Sequence, residues 1–201
     1  GTLTVSKIVS GGPSPLPALS FAFSVSCTGG AAPVGGFSAN GSVSAGGSTS
    51  VGNIPAGSAC TVTEGAKPPV TNYTWGAEQI TNPGAPMAAG GTLAATIANS
   101  LTRDQVNVTI NKAVTGAPAA GAPGSYGFSL ACDTGTYTGA VSIAANGTSG
   151  STTVQVPQGA TCSALNETSK ATPPANYTWA AESTAPPAGA IAAGATGSIV
   201  N

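Results

Sequence analysis

Histidine is missing altogether from this chain of 201 residues, and formally charged side chains make up only 5% of it, against roughly 25% in an ordinary soluble domain. Without histidine there is no Ser/His/Asp triad. With no CxxC spacing either, the cysteines do not read as a tetrahedral zinc site. The six carboxylates are scattered and form neither a metal cluster nor a glycosidase pair. These absences predict a protein that is not an enzyme and takes no cofactor or metal. Net charge is −1, which leaves no basic footprint for nucleic acid or anionic lipid. No apolar run approaches the roughly 20 residues that cross a bilayer as a helix, so no membrane insertion is expected. No signal peptide is visible, and Gly1 leads straight into a strand-like segment, as in a mature or excised fragment. No stretch has helical periodicity with caps.

What the chain does have is a repeat of itself. Cys60 to Trp75, CTVTEGAKPPVTNYTW, recurs as Cys162 to Trp179, CSALNETSKATPPANYTW. The offset is 102 at the cysteines and 104 at the tryptophans, so the second copy carries two extra residues between them. A period of this size is a duplicated domain rather than a solenoid unit. The expected domains are 1–102 and 103–201, with a boundary near Ser100 to Asp104 and a short linker, strung end to end. Each copy is long enough for a modest core.

Thr2 to Val9 (TLTVSKIV) alternates apolar and polar residues and is rich in β-branched types, as is its copy Val106 to Val114 (VNVTINKAV); both are predicted strands. Gly/Pro turns follow at Gly11 to Pro17 and Gly116 to Gly124. Phe21 to Cys27 and Tyr126 to Cys132 carry aromatics two apart, on one face. Gly-rich strands then span Gly36 to Val51 and Tyr137 to Val154, and Pro/Gly turns (IPAGSAC, VPQGATC) lead into the next strand. The Asn-Tyr-Thr-Trp segments are expected as strands, their Tyr73/Trp75 and Tyr177/Trp179 pairs packing in a core or interface rather than stacking on sugar. Gly91 to Asn99 and Ala195 to Asn201 close the two copies. Short strands between turns at roughly 8–12-residue spacing predict an all-β fold, an Ig-like or prealbumin-like β-sandwich in each half.

The four cysteines fall two per copy, Cys27 with Cys60 and Cys132 with Cys162. Of the three connectivities four cysteines allow, the repeat favours pairing within each domain. Each bridge would close a loop worth roughly 3–4 kcal/mol and imply an oxidising compartment.

Eight of the eleven charged side chains match between copies: Lys7/Lys112, Glu64/Glu167, Lys67/Lys170 and Glu78/Glu182. If Val5 and Val9 face inward, so does Lys7, and an inward lysine is costly unless paired or neutralised. This layout resembles the Cna B-type, or SpaA-like, domain of bacterial surface proteins and pilins. That family has a lysine in the first strand, a glutamate in an ETKAPxGY-like motif and an asparagine near the end of the last strand. Lys7 and Lys112 match the first element, EGAKPPVTNY and ETSKATPPANY the second, Asn99 and Asn201 the third. The sequence departs from the pattern in having Asn where the motif has Gly before Tyr, and in its cysteine pairs.

The resemblance implies that the lysine amine attacks the asparagine carboxamide, expelling ammonia and leaving an isopeptide bond between first and last strands. The bonds would be Lys7–Asn99 and Lys112–Asn201, with Glu64 and Glu167 shuttling the proton. Burial would free the amine as a nucleophile and favour the protonated acid, and packing would substitute for a high concentration. The alternative is a lysine on an exposed edge strand guarding against aggregation, with asparagine in turn chemistry. Lys67/Lys170 and Glu78/Glu182 are expected to be solvated surface charge.

The function expected is a structural module of an extracellular bacterial fibre, pilus or adhesin stalk at the cell surface, its partners copies of itself in a head-to-tail homopolymer or a longer repeat protein. The competing expectation is an adhesin or polysaccharide- or surface-binding module, which would require one copy to diverge around a pocket.

Overall fold

The computed structural model describes residues 1–201. The chain is all-β and divides into two compact units, Gly1–Arg103 and Asp104–Asn201. In the first unit, β1 (Thr2–Gly11), β4 (Ser48–Val51), β6 (Tyr73–Trp75), β7 (Gln79–Thr81) and β8 (Thr92–Arg103) form one sheet. Facing it is a three-stranded sheet of β2 (Ser20–Thr28), β3 (Phe37–Ser44) and β5 (Ala59–Glu64), in the order β3-β2-β5. The second unit repeats the plan. One sheet runs β12 (Ser149–Pro157), β9 (Gln105–Ala113), β15 (Thr196–Val200), β14 (Ser183–Ala185); the other runs β11 (Gly135–Ile143), β10 (Gly124–Cys132), β13 (Cys162–Ser169). Each half is a β-sandwich.

Strict alternation in β2 puts Phe21, Phe23, Val25 and Cys27 inward and the serines outward, the period-2 pattern of a sheet with one face on a core. In β1, Leu3, Val5 and Lys7 share the inward face. β1 is a central strand, with β4 on one side and β8 on the other; β9 is likewise flanked by β12 and β15. The lysines therefore do not sit on edge strands. First and last strands run parallel, with Lys7 opposite Ile97 and Val9 opposite Asn99. In the second unit Lys112 lies opposite Ile199, which sets Asn201 two residues further along. Adjacent parallel strands require a long crossover, and here that crossover is the rest of the domain.

Each half holds one disulfide, Cys27–Cys60 and Cys132–Cys162. The cysteines are direct cross-strand partners, on β2 and β5 and on β10 and β13, so each bridge staples neighbours within one sheet.

The two copies differ at the Asn-Tyr-Thr-Trp segment. In the first, Tyr73–Trp75 pairs as β6 with Leu101, Thr102 and Arg103, the part of β8 beyond Asn99. In the second, the expected strand is absent. Tyr177–Trp179 lie outside the strands, and Tyr177 is exposed. Both asparagines before the tyrosine are left-handed, Asn72 at φ 64° and Asn176 at φ 68°. Asparagine is among the few side chains that tolerate this region, which accounts for Asn where the related motif has Gly.

Candidate cross-linking sites

β1, β5 and β8 converge on one buried cluster in the first domain. Lys7 and Asn99 are 1% and 3% exposed, and the Glu64 side chain is fully enclosed. Lys7 Nζ donates to Glu64 Oε1 at 2.6 Å. Asn99 Nδ2 donates to both oxygens of the same carboxylate, at 2.9 Å each. One carboxylate thus touches the amine and the carboxamide nitrogen together. Asn99 Oδ1 is left without a hydrogen-bond partner. The carboxamide holds this orientation because turning its oxygen toward Glu64 would set acceptor against acceptor, which costs more than one unmade bond.

The lysine's surroundings are apolar on the other side. Its Nζ lies 4.3 Å from the centroid of the Phe21 ring, and Trp75 meets that ring edge-on at 5.6 Å. Trp75 Nε1 donates to Pro68 O at 2.7 Å, pinning the Lys-Pro-Pro loop over the cluster. Two effects favour the ammonium, the Glu64 contact and the ring face, and desolvation opposes them. Desolvation is the largest influence, and the Lys7 amine is lowered from its ordinary value of 10.5.

The second domain builds the same set with looser contacts. Lys112 is 1% exposed, and its Nζ lies 3.1 Å from Glu167 Oε1 in an orientation that makes no hydrogen bond. Asn201 is 8% exposed, and neither side-chain polar atom finds a partner. Its backbone is held: Asn201 N donates to Ala113 O at 3.1 Å, and Asn201 O accepts from Thr115 N at 2.7 Å. Tyr126 replaces Phe21 under the lysine at 5.1 Å, and Trp179 meets it edge-on at 5.7 Å. Trp179 Nε1 donates to Ala171 O at 2.8 Å, so the tryptophan keeps its place even without a strand. Burial lowers the Lys112 amine and raises the Tyr126 hydroxyl.

The surface charges also differ between copies. Lys67 Nζ donates to Gly76 O at 3.2 Å and lies 3.7 Å from Glu78. Lys170 Nζ bonds Glu182 at 2.8 Å but also reaches the enclosed Glu167 Oε2 at 3.5 Å, so it is more than a solvated charge. The aromatic floor of Phe21 and Tyr126 had a signal in the sequence, an aromatic at the same place in both copies. Its role beneath the lysine did not.

Among solved structures, the chain is similar to the Bacillus anthracis TIE protein, at 19% identity and TM-score 0.40, covering 85% of this chain and 28% of that one. It is also similar to the major pilin (T-13) of Streptococcus pyogenes, at 14% identity and TM-score 0.33, covering 99% and 95%. The shaft pilin spaA from Lactobacillus rhamnosus GG matches at 12% identity and TM-score 0.31, over 83% and 91%. No curated protein matches the chain. The family model described as "Domain of unknown function (DUF5979)" matches twice, over residues 3–102 and 108–200, and the chain belongs to that family as a tandem of two such domains.

Proposed function

We propose that each domain closes an intramolecular Lys–Asn isopeptide bond, Lys7–Asn99 and Lys112–Asn201, and that the pair serves as a load-bearing module of an extracellular fibre or stalk. The carrying observation is the Glu64 carboxylate, enclosed in the core and bonded at once to Lys7 Nζ and Asn99 Nδ2. In the reaction the neutral amine attacks Asn99 Cγ. The Nζ–Cγ bond forms, the Cγ–Nδ2 bond breaks, and Glu64 passes the proton from Nζ to Nδ2, which departs as ammonia. The lowered lysine supplies the nucleophile, the shared carboxyl the proton transfer, and the packed core the proximity. Each site turns over once.

Parallel pairing of first and last strands gives the bond its mechanical meaning. Tension entering β1 would cross from Lys7 to Asn99 and leave along the end of β8, bypassing the residues between. The disulfides suit an oxidising, extracellular compartment. A surface poor in charge and a net charge of −1 favour self-association, consistent with head-to-tail assembly of copies. Intact mass of the purified protein tests the chemistry. Loss of one ammonia per domain, retained after reduction and absent in Glu64→Gln/Glu167→Gln, is expected; a mass showing both carboxamides intact would rule the bonds out.

A further inference from the structure

We propose that Lys170 is a positioning residue that delays the second domain's cross-link relative to the first by drawing the Glu167 carboxyl group away from Asn201. This rests on the isopeptide reading above. For the proton to travel from lysine to the departing nitrogen, the carboxyl must take it from Nζ and then face Nδ2. Glu64 is free to do both, having only Lys7 and Asn99 on its oxygens. The first domain's counterpart of Lys170, Lys67, is turned to Gly76 O and Glu78.

Glu167 lies between two lysine side chains, with Lys112 Nζ 3.1 Å from Oε1 and Lys170 Nζ 3.5 Å from Oε2. Oε2, the oxygen that Glu64 gives to Asn99 alone, here faces Lys170 instead. With its oxygens turned to the two lysines, Glu167 accepts nothing from Asn201, whose carboxamide is buried and unpartnered. The other titratable groups facing this cluster are Glu182, which holds Lys170 at 2.8 Å, and Tyr126, whose hydroxyl donates to Ala122 O at 2.9 Å. The copies also differ in the chain around this contact. β5 ends at Glu64, whereas β13 runs on to Ser169, and the second copy has Ala171 and Thr172 before its Pro-Pro pair.

The test is a time course of cell-free synthesis of the full chain, quenched in acid and digested, with ammonia loss in each domain read by peptide mass. The first domain is expected to close before the second. Lys170→Gln is expected to speed the second about tenfold, the scale of one competing charge-assisted contact, and to leave the first unchanged. Lys170→Arg, which keeps the charge, should stay slow, and Lys67→Gln should change neither domain; a structural role would not separate Arg from Gln in this way. A wild-type second domain that closes no later than the first, or a rate indifferent to Lys170→Gln, overturns the inference while leaving the cross-links standing. Ammonia retained in both domains of every variant defeats the isopeptide reading itself, and this inference with it.

Discussion

At the scale of single residues, the proposed cross-link turns on what Glu64 can accept and release. Glutamine in its place keeps the volume and can still hydrogen-bond, but it cannot carry the proton. Glu64→Gln should therefore slow closure of the first domain by at least roughly 10²-fold, visible as an unreacted Lys7 and Asn99 by peptide mass. The lowered lysines also make a pH prediction, best read where no bond can form, in Asn99→Ala/Asn201→Ala. Folded Lys7 sheds its proton more readily than the unfolded chain, whose lysine titrates near 10.5. Between the lowered folded value and about 10.5 the unfolded state binds more protons, so stability rises with pH across that window. In the second domain Tyr126 works against Lys112. Its hydroxyl is raised above 10.0, so the folded state keeps a proton the unfolded state loses, and the gain is eroded above about pH 10. Hydrogen exchange read separately over each domain should show the first still gaining protection at pH 10 and the second levelling off.

At the scale of elements, the turns and strand neighbours set the limits. Asn72 occupies the left-handed region at φ 64°, so Asn72→Gly should be nearly neutral while Asn72→Ala costs about 1–2 kcal/mol, measurable by denaturant unfolding. Gly41 lies opposite Phe23 in the β2–β3 ladder, and Gly139 opposite Phe128 in β10–β11. A Cβ on Gly41 would come within 2.5 Å of the Phe23 ring, and one on Gly139 within 2.8 Å of Phe128. Each aromatic lies over the glycine of its neighbour. Gly41→Ala should push Phe23 off its seat and cost about 1–3 kcal/mol, with the loss confined to the first domain.

At the scale of the whole molecule, the expected phenotype is resistance to extension. With both bonds closed and the disulfides reduced, the residues between Lys7 and Asn99, and between Lys112 and Asn201, cannot pay out under load. Single-molecule pulling should find each domain of Glu64→Gln/Glu167→Gln longer than its wild-type counterpart by roughly 300 Å once unfolded, at 3.3–3.6 Å per residue. Wild type that extends to the same length as the variant would remove the mechanical role.

Much of the design was present in the order of the residues. The duplication, the alternation that makes each half a sandwich, the two cysteine pairs and the matched lysine, glutamate and asparagine are all local or periodic features, and periodicity survives without coordinates. Alternation shows that Leu3, Val5 and Lys7 share a face, but not which face is buried or which strands lie alongside. Those depend on pairings between residues some 90 apart in sequence, such as Val9 with Asn99, which nothing local encodes. Only the tertiary structure made β1 central and parallel to β8 and put Phe21 and Tyr126 beneath the lysines. It also separated two lysines the sequence treats as equivalent. Lys67 and Lys170 stand three residues after their glutamates in both copies, and the path of the chain beyond that glutamate brings only Lys170 to the buried carboxylate.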